Sequence, residues 1–220
     1  GRVEKTVQIR RLGEIPYDEA WDLQRELHEL RIQHIIEDTV LLLSHPHTLT
    51  AGTRGGKENV WHNLKADRET LEGKGVRLIE SDRGGDVTWH GPGQLVAYPI
   101  IHLEGYGNDI GAYVRRLEAT MFRACDAVGI AAHRLEGYPG AWVGKNKIGA
   151  IGARVRRQVT MHGFALNLVG ELEGFDWILP CGLQGKGVTS VERELPQGGC
   201  PGFGILETLV ADALHATFDQ

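Results

Sequence analysis

The glycine-rich segment Arg83-Gly-Gly-Asp-Val-Thr-Trp-His-Gly-Pro-Gly-Gln94 constrains the fold of this chain more than any other stretch. It runs directly into Leu95-Val-Ala-Tyr-Pro-Ile-Ile101, an apolar run typical of a strand. A dinucleotide-binding fingerprint needs a strand before its glycines and a helix after them, so this order excludes that motif. The glycines instead predict that backbone passes close to a bound ligand, the alternative being a glycine–proline hairpin without function.

Helical and strand-like patterns mix along the rest of the chain without strict βαβ alternation. Apolar residues recur at helical spacing between Ala20 and Leu30, after Ile110, and between Leu206 and Leu214. Short apolar runs predict strands at 39–44, 76–80, 140–144, 148–155 and 160–168, whereas 45–60 is expected to form a loop. The pattern predicts an α/β fold with a mixed β-sheet flanked by helices, in one domain spanning residues 1–220.

Composition narrows the range of partners and compartments. The net charge of −5 and the pI of about 6.1 give no indication of a nucleic-acid partner. The 3 cysteines are odd in number and irregularly spaced, which argues against a disulfide framework. The sequence has no apolar run long enough for a membrane helix, and its beginning lacks the apolar core of a signal peptide. We therefore expect no membrane partner and a cytoplasmic location.

Two further motifs do not predict a site. The segment from Gly140 to Lys145 has too few residues between its glycines for a phosphate-binding loop, and Asn146 stands where Ser or Thr is required. His45 and His47 are separated by one residue, as metal ligands often are, but no third ligand follows at a supporting spacing.

The segments around Lys147 and Cys181 indicate a thiol enzyme. Cys181 lies between Pro180 and Gly182, which predicts a turn, and Lys147 begins the glycine-interrupted segment Lys147-Ile-Gly-Ala-Ile-Gly152. A thiolate beside a lysine ammonium is a prepared sulfur nucleophile. Histidines in other glycine-marked segments, His90 and His162, are candidate supporting groups, so a cysteine hydrolase stays open. Cys125 and Cys200 are expected to be structural and incidental, respectively.

Four motifs resemble, in order, those of the lipoyl(octanoyl) transferases, which are octanoyl-[acyl-carrier-protein]:protein N-octanoyltransferases. The motifs are the Arg83–Gln94 segment, Lys147-Ile-Gly-Ala-Ile-Gly152, His162-Gly-Phe-Ala-Leu-Asn167 and Pro180-Cys-Gly182. The resemblance implies a fold like that of biotin and lipoate protein ligases. It also implies that Cys181 accepts the octanoyl group and passes it on, while Lys147 favours the thiolate and carries the proton.

The same resemblance implies a pocket, partners and no cofactor. The donor would be octanoyl-acyl carrier protein, and the acceptors would be lipoyl domains of 2-oxoacid dehydrogenases and the glycine cleavage H protein. The family uses neither metal nor nucleotide, and we expect a monomer. The residues expected to line the acyl pocket, with His162 in support, are Arg83, Gly84, Gly85, Asp86, Val87, Thr88, Trp89, His90, Ala150, Ile151, Gly152, Gly163, Phe164 and Ala165.

One residue departs from the family pattern. Trp89 stands where the family has tyrosine, which retains an aromatic wall but removes a hydroxyl. Because acyl carrier protein is strongly acidic, Arg154, Arg156 and Arg157 are candidates for its docking. The rival functions are an ATP-dependent lipoate or biotin ligase, a non-catalytic effector-binding module, and the cysteine hydrolase.

Overall fold

A computed structural model describes residues 5–55, 61–179 and 185–219. Short 3₁₀ turns at Thr53–Gly55, Leu103–Tyr106 and Glu173–Trp177 join some of its elements. In chain order the strands and helices are β1 (Gln8–Glu14), α1 (Tyr17–Ile32), β2 (Thr39–Ser44), β3 (Thr48–Ala51), α2 (Arg68–Gly73), β4 (Arg77–Glu80), β5 (Thr88–His90), β6 (Gln94–Ile100), α3 (Ile110–Asp126), β7 (His133–Leu135), β8 (Tyr138–Val143), β9 (Asn146–Arg156), β10 (Val159–Asn167), β11 (Gly187–Val188), α4 (Val191–Glu194) and α5 (Phe203–Phe218).

The main sheet is mixed, as the sequence predicts. Its strand order is β1-β2-β6-β10-β9-β8-β7, with β11 pairing with β9 off this path. Strands β1 and β2 are parallel, as are β11 and β9, and the other neighbours are antiparallel. The parallel pair β1–β2 is connected through α1, the type of crossover that parallel strands require.

The central strands are buried on both faces, which explains their continuous apolar sequences. In β2, Val40 and Leu42 belong to one hydrophobic cluster, whereas Leu41 and Leu43 belong to another on the opposite face. Helices α3 and α5 pack against the first face, and α1 packs against the second. Asp109 caps α3 by accepting a hydrogen bond from the Ala112 N–H, a contact that typically stabilises a helix by about 1 kcal/mol.

A second, small sheet with the order β4-β3-β5 lies over the α1 side of the main sheet. Its central strand β3, whose residues are all buried, occupies part of the stretch expected to be a loop. That expectation was wrong, because four residues are too few to show a strand period. Its apolar core includes Leu49, Leu71 and Trp89.

The glycine-rich segment carries the chain from the small sheet to the main one. Strand β5 pairs with β3, and β6 pairs with β2 and β10, so β5 and β6 do not form a hairpin. Gly93 has a φ of +88°, and a Cβ there would lie 2.0 Å from the Val169 carbonyl oxygen. A side chain is therefore excluded at Gly93 by the protein's own backbone.

None of the helices within the described ranges is both long and apolar enough to cross a lipid bilayer.

Candidate active site

A cavity of about 240 Å³ lies between the main sheet and the small sheet. Strands β9 and β10 form its floor, and the loop between β4 and β5 covers part of it. The lining residues are Tyr17, Arg83, Gly85, Asp86, Val87, Thr88, His90, Gln94, Val96, Tyr98, Lys147, Gly149, Ala150, Ile151, Gly152, His162, Gly163, Phe164, Ala165, Asn167, Phe175, Ile178, Leu179 and Val188.

A β-bulge in β9 aims Lys147 into this cavity. Ala141 pairs with Gly149, but the next residue, Trp142, pairs with Lys147, so Ile148 is the extra residue. Ile148 is buried in the cluster on the α3 side, and a Cβ on Gly149 would lie 2.5 Å from Met121 Sδ of α3. Two successive residues thus face α3. Because side chains otherwise alternate, this extra residue turns Lys147 to the cavity side.

Lys147 is partly removed from solvent where it lines the cavity. Its side chain is half-buried, and burial lowers its pKa below the ordinary lysine value. No charged group among the described residues contributes to that shift. A lysine whose pKa is lowered in this way can act as a proton acceptor closer to neutral pH.

A second irregularity places His162 at the cavity. His162 has a φ of +56°, a left-handed conformation that costs on the order of 1–2 kcal/mol for a residue with a side chain. Its backbone N–H donates to the Gln24 side chain of α1 at 2.7 Å instead of to a neighbouring strand. The facing strand β6 contains Pro99, whose carbonyl accepts a hydrogen bond from the Thr160 hydroxyl. The distorted backbone turns the His162 ring towards Tyr98.

The His162 ring is held by Asp82. Its Nε2–H donates to Asp82 Oδ1 at 2.6 Å, and Arg154 lies 3.3 Å from Asp82 Oδ2. Burial lowers the pKa of His162, although Asp82 opposes this shift. Burial raises the pKa of Asp82, but the hydrogen bond from His162 and the charge of Arg154 outweigh it, so the net shift is downward. The pair ties the β4–β5 loop to the floor.

Arg83 organises the same loop from inside. Its guanidinium donates to the carbonyl oxygens of Gly84, Asp86 and Thr50, and to the Thr50 hydroxyl, at 2.7–3.1 Å. Arg83 is buried, and burial lowers its pKa. Because these bonds engage its nitrogen atoms with the loop and β3, Arg83 shapes the cavity wall mainly by fixing the backbone.

A line of buried amides runs across the floor and was missed by the sequence analysis. His90 Nδ1–H donates to Gln94 Oε1 at 2.7 Å, and Gln94 Nε2 donates to Asn167 Oδ1 at 3.0 Å. Asn167 Nδ2 in turn donates to the Thr189 carbonyl, and the Thr189 N–H donates to the Lys147 carbonyl. Burial lowers the pKa of His90 to about 3, so its ring is neutral at pH 7. Gln94 and Asn167 are the last residues of two of the sequence motifs, and that position was the only feature of the sequence that could have indicated their part in the site.

Most of the residues predicted for the pocket do come together around the cavity. All of the predicted pocket residues lie within the described ranges, and among them Gly84 and Trp89 do not line the cavity. Thr88 and His90 face the cavity while Trp89, between them, points the other way, as alternation along a strand requires. The Trp89 indole N–H donates to His47 Nδ1 at 3.1 Å, and its ring packs edge-on against Phe175. Trp89 therefore supports the wall from behind.

The predicted Pro180-Cys181-Gly182 turn lies outside the described residues. The other two cysteines are described, and neither lines the cavity. Burial raises the pKa of Cys125 to about 12 and also raises that of Cys200. Both thiols are therefore protonated at neutral pH and poor nucleophiles.

The three arginines proposed for docking differ in their surroundings. Arg154 is engaged with Asp82 at the edge of the cavity. Arg156 is the last residue of β9, and Arg157 lies in the tight turn before β10, with a φ of +51°. Arg156 and Arg157 are both exposed, so the arginines available to a partner are these two.

Neither histidine of the His45-Pro46-His47 motif is free to bind a metal. His45 bonds to the Ile15 carbonyl and to the Tyr98 hydroxyl through its two ring nitrogens. His47 accepts from Trp89 and lies 3.1 Å from Glu173. Burial lowers the pKa of His45 to about 4, which keeps it neutral.

Known proteins resemble the chain in both sequence and fold. Residues 16–203 match the family described as lipoyl protein ligase A/B catalytic domain. An octanoyltransferase from Chloroflexus aggregans is 43% identical over 218 residues, covering 98% of this chain and 96% of that protein. An octanoyltransferase from Caldicellulosiruptor bescii is 49% identical over 189 residues, covering 85% and 81%.

Solved structures confirm the predicted type of fold. A bipartite lipoate protein ligase from Thermoplasma acidophilum superimposes with a TM-score of 0.70 at 14% identity, covering 97% of this chain and 84% of that one. A biotin protein ligase from Aquifex aeolicus gives 0.51 at 9% identity, covering 96% and 68%. At such low identity these similarities establish the architecture alone. Together with the close sequence relatives, they show that the chain belongs to the family of lipoyl protein ligase A/B catalytic domains and, within it, to the octanoyltransferases, a family of acyltransferase enzymes.

Proposed function

We propose that the protein transfers an octanoyl group from acyl carrier protein to a lysine of a lipoyl domain, through a thioester on Cys181. The main support for this proposal is that Lys147 lines the same cavity as predicted pocket residues from three separate motifs. Leu179, two residues before Cys181, also lines it.

In the first step the Cys181 thiolate attacks the carbonyl carbon of the donor thioester. The bond from that carbon to the phosphopantetheine sulfur breaks, and the leaving thiolate takes up a proton. One thioester replaces another, so the exchange needs no ATP. A nearby ammonium favours the attacking thiolate, which is the role we assign to protonated Lys147.

In the second step the acceptor lysine attacks the enzyme thioester as a neutral amine. A carbon–nitrogen bond forms, the Cys181 sulfur leaves, and the nitrogen loses a proton. Lys147 accepts that proton in its neutral form, and its lowered pKa supports this role. Backbone N–H groups near Gly152 or Gly182 would stabilise the oxyanion.

The shape of the cavity suits a flexible acyl chain. From Lys147 to Gly152 the floor strand extends for roughly 16 Å, and Ala150 and Ala165 contribute only small side chains to it. Tyr98, His90 and His162, which are polar but buried, also line the cavity. An extended octanoyl group fits along this floor with its carbonyl beside Lys147.

The proposed partners are those that the resemblance to the octanoyltransferases implies. The donor is octanoyl-acyl carrier protein, and the acceptors are lipoyl domains of 2-oxoacid dehydrogenases and the glycine cleavage H protein. We propose that one monomer, acting as a single domain in the cytoplasm, carries out both steps without a metal or nucleotide.

The thioester can be tested directly. Purified protein is incubated with octanoyl-acyl carrier protein, with no acceptor, and its mass is measured before and after hydroxylamine treatment. We expect one octanoyl adduct on the peptide containing Cys181, removed by hydroxylamine. Cys125 and Cys200 are internal controls that should stay unmodified, because the pKa of each thiol is raised.

The alternatives give different results. Transfer that requires ATP and survives in Cys181→Ser would favour a ligase. Release of free octanoate without an acceptor would favour a hydrolase, and binding of the donor without any adduct would favour an effector-binding module. Each of these outcomes contradicts the proposed transfer through Cys181.

A further inference from the structure

Trp142 is the aromatic neighbour of Lys147 on the adjacent strand. The two residues pair across β8 and β9 at the bulge, and the Lys147 ammonium lies 5.4 Å from the centroid of the indole ring. An ammonium within about 6 Å of an indole face is attracted by the ring quadrupole, more strongly where water is excluded. Trp142 is fully buried and Lys147 is half-buried, so this contact is partly shielded from solvent.

The ring itself is held firmly. The Trp142 indole N–H donates to the Tyr138 carbonyl at 3.1 Å, within the same strand, and the Tyr138 ring packs edge-on against it. The Lys147 side chain reaches it by passing over Gly140, where a Cβ would lie 3.5 Å from Lys147 Cε. A Cβ at Gly140 would also meet the Gly149 carbonyl at 2.5 Å, so this position must lack a side chain.

We propose that Trp142 is a positioning residue for octanoyl transfer, whose buried indole holds the Lys147 ammonium at the cavity and keeps its protonated form available. Burial alone favours the neutral amine, whereas the ring favours the cation. Lys147 needs both forms in the proposed mechanism, the cation beside the thiolate and the amine as proton acceptor. The two opposing effects keep both forms accessible, and this part of the inference rests on the proposed function.

A second lysine provides a matched control. The Lys186 ammonium lies 5.8 Å from the same ring centroid, but Lys186 does not line the cavity. Lys186→Ala removes a cation from the ring without touching the group proposed to react. We expect it to leave both the turnover number and the KM for octanoyl-acyl carrier protein unchanged.

The test compares Trp142→Leu, which removes the ring, with Trp142→Phe, which retains a smaller one. The pKa of Lys147 is measured by trace acetylation with acetic anhydride over a pH series, followed by peptide mass analysis. In Trp142→Leu we expect it to fall by about 0.5–1 unit. We also expect kcat to fall roughly tenfold with little change in KM, and Trp142→Phe to show a smaller loss.

The labelling profile separates this inference from the proposed function. If the wild-type protein transfers no octanoyl group, the proposed function fails, but the profile still reports the contact between ring and ammonium. An unchanged profile in either variant overturns the inference. If Trp142→Leu does not fold, Trp142→Phe is the deciding variant. We expect the pKa of Lys147 to fall measurably in it, though by less than removal of the ring would produce.

Discussion

Lys147 combines two properties at the level of a single residue, since it is half-buried and it lines the cavity where we propose that octanoyl transfer takes place. Burying an ammonium without an acidic partner is unfavourable. The protein therefore retains a destabilising residue where the proposed chemistry needs an amine. Sites of this kind commonly trade stability for activity.

Lys147→Met should separate the two properties. We expect octanoyl transfer to fall by about 10²–10⁴-fold, because the proton acceptor is lost. The free energy of unfolding at neutral pH should rise by about 0.5–2 kcal/mol, because the buried charge is removed. The measurements are a transfer assay and urea unfolding.

The difference in the free energy of unfolding between wild type and Lys147→Met should depend on pH. The folded pKa of Lys147 is lowered, so above it the unfolded chain binds the proton more readily than the folded one. The stability gap between wild type and variant should therefore close as pH rises towards the ordinary value of about 10.4. Lys145→Met, at an exposed turn position, should change neither property. Normal transfer by Lys147→Met would contradict the assigned role.

Asp82 is the residue through which the covering loop is attached to the floor. Asp82→Asn keeps a hydrogen-bond acceptor for His162 but removes the charge that faces Arg154. We expect a loss of about 1 kcal/mol in the free energy of unfolding at neutral pH, since the pair is partly exposed. Because the folded pKa of Asp82 is lowered, its contribution is present above the ordinary value near 3.9 and is lost as pH falls through the folded value.

Urea unfolding over a pH series checks the sign of that effect. The curves of wild type and Asp82→Asn should converge in acid and separate towards neutral pH. Asp212→Asn, on the exposed side of α5, should parallel the wild type throughout. A difference that stayed constant into acid would show that Asp82 does not act through its charge.

At the level of elements, the cavity depends on how closely the β4–β5 loop approaches β9. A Cβ on Gly152 would lie 2.9 Å from the Gly84 carbonyl and 3.2 Å from Arg83 Cδ. Gly152→Ala should push this loop outward, and we expect transfer to fall about ten- to a hundredfold. Steady-state kinetics with a series of acyl chain lengths would measure the loss.

Gly73→Ala is the matched control for Gly152→Ala. Gly73 ends α2, and a Cβ there would have no atom within 4 Å. We expect unchanged kinetics and a stability equal to or slightly above that of the wild type. If Gly152→Ala kept wild-type kinetics, the loop would have to be mobile enough to absorb a methyl group.

The elements also show where sequence patterns were sufficient. The runs at 39–44, 95–101 and 160–168 were predictable because strands buried on both faces are continuously apolar. Strand β3 is too short to show a period, and the pairing of β5 with β3 depends on contacts distant in sequence. The bulge at Ile148 and the left-handed His162 were not predictable, because an apolar residue and a histidine fit a regular strand equally well.

The same limits apply to the candidate site. The motifs identified Lys147 and most of the cavity wall, since ordered motifs carry family information that local patterns lack. They placed Trp89 in the pocket although strand alternation, once β5 is known, turns it outward. The predicted set of pocket residues omitted Gln94 and Asn167, because their amides meet only when β6 and β10 pair.

At the level of the whole molecule, the cavity and the exposed arginines share the strands β9 and β10. The β9–β10 turn presents Arg156 and Arg157 to solvent at one end, while Lys147 lies near the other end of β9. Docking of the proposed acidic donor at this turn is therefore a prediction separate from the position of its acyl group on the floor. Arg154 is a poor probe of such docking, because reversing its charge also disturbs Asp82.

The double variant Arg156→Glu and Arg157→Glu should weaken association with acyl carrier protein. We expect kcat/KM for the carrier-bound donor to fall roughly tenfold at low salt, with a reduced dependence on salt. Turnover with a small octanoyl thioester should not change. Arg115→Glu, on the exposed side of α3, controls for net charge. Equal kcat/KM for variant and wild type at low salt would place the docking surface elsewhere.

The bulge in β9 also determines which insertions and deletions this protein can tolerate. Because side chains alternate between the two faces of a strand, one extra residue changes the face on which the following residues lie, and Ile148 is the extra residue that places Lys147 on the cavity face. Removing Ile148 would turn the lysine towards α3, and no point substitution elsewhere in β9 would restore its direction. Between Lys147 and Gly152 the number of residues is therefore constrained as well as their identity, since Gly149 and Gly152 leave no room for a side chain.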